Sequence, residues 1–362
     1  MKNAKPFHAL AVCLCVASMI ALAEGCRSQK PPTPTSQIVK PTMPPTGDEI
    51  IVCGQRFHTG APVVLWFDKG GHDFHYSTTN PSAPDARLPH NTRRSVLTRD
   101  ERDRVESKGW TLDLLRDKVD QFVIHYDVDA TSLQCFNTLN KRGLAVQFML
   151  DIDGTIYQSM DLEEQAAHAT KANGRSVGVE IANIGAYSGS LIPLMAWYKK
   201  DANGNVRIAL PARVGDGGVR TPGFVGRPIR NELIRGIVQG TVYRQYDYTP
   251  QQYDSLTKLT AVLCTVLPKI TCDYPRQKDS VGVPTTQLVK GPEGNPATRS
   301  SALAAPWEAG TLIPHALTSE QYDSYQGLLG HYHVQTDKQD PGPAFQWDRV
   351  IDGARKLMTR RR

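Results

Sequence analysis

The stretch from Gly330 to Trp347 constrains this chain more than any other. It reads Gly330-His331-Tyr332-His333-Val334 and, after three residues, Lys338-Gln339-Asp340-Pro341-Gly342-Pro343-Ala344-Phe345-Gln346-Trp347. Pro341 and Gly342 prevent it from being one regular helix. Yet the ten positions from His331 to Asp340 hold two imidazoles, an ammonium and two carboxylates. Imidazole nitrogen and carboxylate oxygen both suit zinc, and a catalytic zinc usually takes three protein ligands and keeps a fourth position open. A further ligand must then come from elsewhere. His125, which ends the apolar run Phe122-Val123-Ile124, is the candidate.

Four blocks in order carry a resemblance. They are Val123-Ile124-His125, His168-Ala169, Ser176-Val177-Gly178-Val179-Glu180, and Gly330-His331 through Lys338-Gln339-Asp340-Pro341-Gly342. With them the chain resembles the zinc-dependent N-acetylmuramoyl-L-alanine amidases of the type 2 class, relatives of phage amidase-lysozymes and of peptidoglycan recognition proteins. The likeness spans residues 105 to 358. It implies an α/β fold, a mixed central β-sheet flanked by helices with the zinc site in a surface groove. It also implies His125, His331 and Asp340 as the Zn2+ ligands. His333 is the alternative to His331, and it stands where the family usually has an acidic residue. By the same resemblance Glu180 is the general base, Lys338 stabilises the developing oxyanion, and His168 and Asn173 line the substrate groove. The physical chemistry agrees for Glu180, since a carboxylate on a mostly apolar strand is costly to bury unless it is paired or used.

The activity so implied is hydrolysis of the amide between the lactyl group of N-acetylmuramic acid and L-alanine, in peptidoglycan or a muropeptide. The alternative is a peptidoglycan-binding module of the same fold without catalysis. Such relatives typically lack one zinc ligand, whereas all three candidates are present here, with Glu180 and Lys338. A serine or cysteine hydrolase is set aside as a third reading, the cysteine form because no Cys stands near a His motif.

The first 26 residues read as an export signal. Lys2 and Lys5 precede a run from Phe7 to Ala23 that is apolar apart from His8 and Ser18. Gly25-Cys26 resembles the end of a bacterial lipoprotein signal, although Ala23-Glu24 departs from that pattern; ordinary secretion is the alternative. Membrane contact is therefore expected only through a lipid on Cys26. Residues 27–47 hold six prolines among Thr, Ser and Lys, the composition of an extended tether. The formal charge of +6 without a dense basic block, apart from Arg360-Arg361-Arg362, suits either mild attraction to anionic wall polymers or a plain solvated surface. It gives no nucleic-acid footprint.

Of seven cysteines, Cys53, Cys135, Cys264 and Cys272 remain after the signal and the anchor, and Cys264–Cys272 is the expected disulfide. Residues 48–95 read as a β-rich extension that either joins the main domain or forms an appendage. They hold a rival ligand set, His72-Asp73-Phe74-His75 with His58, and a loop over 77–94. The catalytic domain is expected to contain a buried strand at 121–125, a helix at 131–141, a hairpin turning at Asp153-Gly154 and a strand at 176–182. A helix opens at Thr249-Pro250-Gln251-Gln252, with a cap, a first-turn proline and a capping-box Gln. A last helix covers about 348–358. Insertions at 186–246, with a hairpin at Asn203-Gly204, and at 276–326 either flank the cleft or are inert.

Overall fold

The computed structural model describes residues 47–75, 93–277 and 311–360. The export signal, Cys26, the tether up to residue 46, most of the loop at 77–94 and residues 278–310 of the second insertion lie outside it. Strands β1 (Gly47–Val52) and β2 (Gln55–Leu65) come first. Helices α1 (Arg99–Lys108) and α2 (Leu112–Lys118) begin on Thr98 and Thr111, whose hydroxyls accept from first-turn N–H groups. Strand β3 (Gln121–Tyr126), helix α3 (Ser132–Lys141) and strands β4 (Phe148–Leu150), β5 (Ile156–Gln158) and β6 (Ser176–Ile181) follow.

The first insertion supplies helix α4 (Ile192–Trp197) and two hairpins. One pairs β7 (Tyr198–Lys200) with β8 (Val206–Ile208), and the other pairs β9 (Ile234–Val238) with β10 (Thr241–Gln245). Helix α5 (Pro250–Val266) has the full capping box between Thr249 and Gln252. The chain ends with the pair β11 (Arg276–Gln277) and β12 (Thr311–Leu312), helix α6 (Ser319–Ser324), strand β13 (Gly327–Gly330) and helices α7 (His331–Val334) and α8 (Trp347–Arg360).

Seven strands form one mixed sheet in the order β1-β2-β5-β4-β6-β3-β13. The pairs β4–β6, β6–β3 and β3–β13 are parallel, and β1–β2 and β4–β5 antiparallel. Of the two possibilities left open for residues 48–95, the strands there join the main sheet, through the parallel pair β2–β5.

Successive side chains of a strand point to opposite faces. Phe122 and Ile124 of β3, Val177, Val179 and Ile181 of β6, and Leu328 of β13 are buried in one core with α5 and α8. Val123 and Leu329 belong to a separate cluster with Ala169 and Ala172. Residues alternating with the main core, namely His125, Ser176, Gly178 and Glu180, therefore share the face away from α5. Full burial of a large aliphatic side chain stabilises by about 1.5–3 kcal/mol. The apolar set thus fixes the register, and a slip of one residue would turn His125 and Glu180 into the core.

In place of the expected Cys264–Cys272 disulfide, all four described cysteines are free thiols. Cys272 Sγ donates instead to the Ile351 carbonyl at 3.8 Å. No helix among the described residues is long and apolar enough to cross a membrane.

Candidate metal centre and active site

His125 stands next to the end of β3, and His331 is the first residue after β13. The two strands are parallel with Gly330 opposite Ile124, so the histidines arrive side by side at the C-terminal ends of neighbouring strands. That edge is where open α/β sheets place their ligands. Asp340 returns to the same point, its carbonyl accepting from the Tyr332 N–H at 3.2 Å. The close return needs a glycine at 330, since a Cβ there would lie 2.7 Å from Pro341 Cδ.

His125 Nδ1 lies 3.0 Å from His331 Nδ1 and 2.9 Å from Asp340 Oδ2, and His331 Nδ1 lies 3.0 Å from that oxygen. Among the described residues this is the one group of three or more His, Cys, Asp or Glu placed to hold a metal ion. The donor set fits one. The outer nitrogens are occupied elsewhere: His331 Nε2 donates to Gln335 Oε1 at 2.8 Å, and His125 Nε2 is 3.0 Å from His168 Nδ1. Both Nδ1 atoms are left to face Asp340. Two imidazoles and one carboxylate, with their far nitrogens fixed, make a ligand set that leaves a position open.

Burial, and then the neighbouring His331, lowers the pKa of His125 to about 4. Burial also works against the His331 imidazolium, yet Asp340 and Gln335 outweigh it and raise its pKa. For Asp340 burial alone would raise the pKa, but His331 and His125 hold the carboxyl well below the usual carboxylate range.

Glu180 is opposite His125 in the β3–β6 register. Its Oε2 is buried with no hydrogen-bond partner in the protein. Burial first, then Asp340, Asp127 and Asp129, pushes its pKa well above the ordinary value. Lys338 keeps 37% of its side chain exposed, with Nζ 3.9 Å from Asp337 Oδ2. His125, His168, Glu180, His331, Lys338 and Asp340 all line one cleft of about 360 Å³.

Other candidates lie elsewhere. His333 is fully buried, donating from Nε2 to the Ile313 carbonyl at 2.7 Å and accepting on Nδ1 from the Gly330 N–H at 2.8 Å. Asn173 does not line the cleft: its Oδ1 accepts from the His168 and Ala169 N–H groups and holds that turn. The rival histidines part company. His72 stacks on Tyr157 with ring centroids 4.1 Å apart, His75 binds Asp73 and Glu164, and His58 faces Asp48.

Sequence reasoning missed Ser176 and Gln335. Gly174-Arg175-Ser176-Val177-Gly178 spells Gly-x-Ser-x-Gly, the pattern of a serine nucleophile on a sharp strand-to-helix turn. Here Ser176 instead starts a central strand, is fully buried, and donates to the Ala172 carbonyl at 2.7 Å. Its place two and four residues before Gly178 and Glu180 on one face was the available signal. Gln335 follows His331 by one helical turn.

Ligand-capable groups at the C-terminal ends of parallel strands, with an unpaired carboxylate in the same cleft, define the class of metal-assisted hydrolases. Residues 115–281 match the family model of the N-acetylmuramoyl-L-alanine amidases (Amidase_2). The family's reaction is hydrolysis of the amide joining N-acetylmuramic acid to L-alanine. The match ends before β13, so His331, Lys338 and Asp340 enter the site through the fold.

Among solved structures, a selenomethionine derivative of AmpD is 13% identical, with 73% of this chain and 90% of that one covered and a TM-score of 0.31. AmiD from E. coli, solved in complex with anhydro-N-acetylmuramic acid-L-Ala-D-gamma-Glu-L-Lys, is 14% identical. The alignment covers 65% of this chain and 57% of AmiD, with a TM-score of 0.32. LysC, an N-acetylmuramoyl-L-alanine amidase from Clostridium intestinale URNW, is 15% identical, with coverages of 67% and 87% and a TM-score of 0.30. No curated protein sequence matches the chain.

Proposed function

We propose that His125, His331 and Asp340 hold one zinc ion and that Glu180 and Lys338 carry the amidase reaction beside it. The substrate is the lactyl–L-alanine amide of peptidoglycan or of a muropeptide. The observation that carries this reading is the meeting of three buried donor atoms from residues 206 and 215 positions apart in sequence. When bound, zinc supplies Lewis acidity toward the scissile carbonyl and makes water acidic enough to react near neutral pH.

Glu180, raised in pKa and unpaired, accepts a proton from the attacking water as its oxygen bonds to the carbonyl carbon. It delivers that proton to the L-alanine nitrogen as the C–N bond breaks. Lys338, at the cleft's rim, presents its ammonium to the oxygen on which negative charge grows. Neither group is needed to hold the metal. Glu180→Gln should lower the rate about 10²–10⁴-fold and Lys338→Met about 10²–10³-fold, both with unchanged zinc content and fold. Release of stem peptides from a muramyl-peptide substrate, run beside a sacculus pull-down, measures this. Full activity in either variant removes that residue from its role. A zinc-loaded wild type that binds sacculi but releases nothing points to the binding module.

We further propose that the protein is exported and lipid-anchored through Cys26, its proline-rich tether giving the catalytic unit reach. A labelled fatty acid should mark the wild type and not Cys26→Ser. Equal labelling of both, or of neither, favours plain secretion.

A further inference from the structure

The ring of His168 stands edge-on to that of His125, centroids 5.2 Å apart and planes at 85°. Both of its nitrogens are engaged. His168 Nδ1 is 3.0 Å from His125 Nε2, and His168 Nε2 is 3.2 Å from Ser176 Oγ. The direction of these bonds follows from their far end. The Ala172 carbonyl can only accept, so the Ser176 hydroxyl donates to it, at 2.7 Å. Ser176 Oγ is then free to accept, and His168 donates to it from Nε2. That leaves His168 Nδ1 as an acceptor, which only an N–H on His125 Nε2 can satisfy. His125 Nδ1 is thereby left with its lone pair aimed at His331 Nδ1 and Asp340 Oδ2.

We infer that His168 is a positioning residue: anchored by Ser176 and the Ala172 carbonyl, it fixes the His125 tautomer whose Nδ1 faces the metal position. His168 lines the cleft, but with both nitrogens committed it has none to offer a substrate. Gly178 supports this assignment independently. It sits on the same strand face between Ser176 and Glu180, and a Cβ there would come within 2.7 Å of His168 Nδ1 and 2.8 Å of its Cε1. Contacts under 3.0 Å to a ring packed against its neighbours cannot be relieved without moving the ring off His125. The bare backbone at 178 is the seat of the relay. Partners of this kind, on the far nitrogen of a metal-bound histidine, fix ring orientation and raise ligand basicity.

The inference rests on His125 being a metal ligand, so the test includes His125→Ala. Zinc affinity of the full chain is measured by competition with a chromophoric chelator at neutral pH. His168→Phe keeps a ring but removes the acceptor, and should weaken zinc binding about 10–100-fold, as should Gly178→Ala. His168→Asn is smaller but keeps an acceptor near the Nδ1 position, and should bind zinc more tightly than His168→Phe. The reverse order, with Phe tolerated and Asn not, makes His168 a packing residue and overturns the relay. If His125→Ala binds zinc like the wild type, the metal reading itself fails, which is a separate result. A readout independent of variant folding comes from the imidazole nitrogen chemical shifts of wild-type, metal-free protein. They should report His125 protonated on Nε2; protonation on Nδ1 overturns the inference.

Discussion

His331 and His333 are two residues apart in α7, and on a helix that spacing points side chains in nearly opposite directions. His331 therefore turns toward His125 and Asp340, while His333 turns inward, tied to the Gly330 N–H and the Ile313 carbonyl. The two alanine substitutions should separate metal binding from stability. His331→Ala should lose zinc with a modest change in melting. His333→Ala should keep zinc and lose stability, since each buried polar group left unpaired costs about 1–3 kcal/mol. Metal analysis with thermal melts decides, and zinc lost only from His333→Ala would exchange the two roles. The sequence could favour His331 because the Gly-His block starts there. It could not reveal what lies over Ser176 and Gly178, because period-two alternation shows which residues share a strand face and nothing about their cover. The same gap misplaced Asn173: an amide capping its own turn and one facing a groove look alike in sequence.

Among the elements, the β9–β10 hairpin of the first insertion grips the loop that carries the ligands. Gln239, in its turn, donates from Nε2 to the Tyr332 carbonyl at 2.9 Å and the Gln335 carbonyl at 2.8 Å, and its Oε1 accepts from the Ala316 N–H at 3.1 Å. Gln245, at the hairpin's end, donates to the Pro341 carbonyl and accepts from the Ala344 N–H, each at 3.0 Å. The insertion, left open between flanking the cleft and being inert, thus braces both sides of Asp340. Gln239→Ala leaves two carbonyls without this donor, and a hydrogen bond typically contributes about 0.5–1.5 kcal/mol net. It should lower stability by about 1–2 kcal/mol and speed zinc loss to a chelator. An unchanged release rate would mean that the loop holds its shape unaided. Helix α5 was legible because Thr249, Pro250 and Gln252 write their own start, and the β7–β8 turn because Asn203-Gly204 does. The brace was not, because its acceptors are backbone carbonyls, which every sequence carries.

Across the whole molecule, the sheet carries its main core on one face, and His75, with His72 and Phe74, pins the connection after β2 to the other. His75 is buried. Its Nδ1 is 2.6 Å from Asp73 Oδ1, and its Nε2 is 2.8 and 3.0 Å from the two oxygens of Glu164. Carboxylates on both sides ask both ring nitrogens to donate, which only the imidazolium can do. The hydrogen bond to Glu164 is the largest influence; it outweighs burial, and with Asp73 it raises the pKa above 6.5. A histidine whose folded pKa is raised adds stability in full below its unfolded value. That stability is lost as pH climbs through the folded pKa. Hydrogen bonds to charged groups contribute about 1.5–3 kcal/mol, so His75→Gln should be destabilised by about that much below pH 6.5, with the gap closing above it. Melting of wild type, His75→Gln, Glu164→Gln and the double variant across this range isolates the pair as a coupling energy. A coupling that stays flat, or grows as pH rises, would mean that His75 is held as the neutral ring and that packing alone pins the connection.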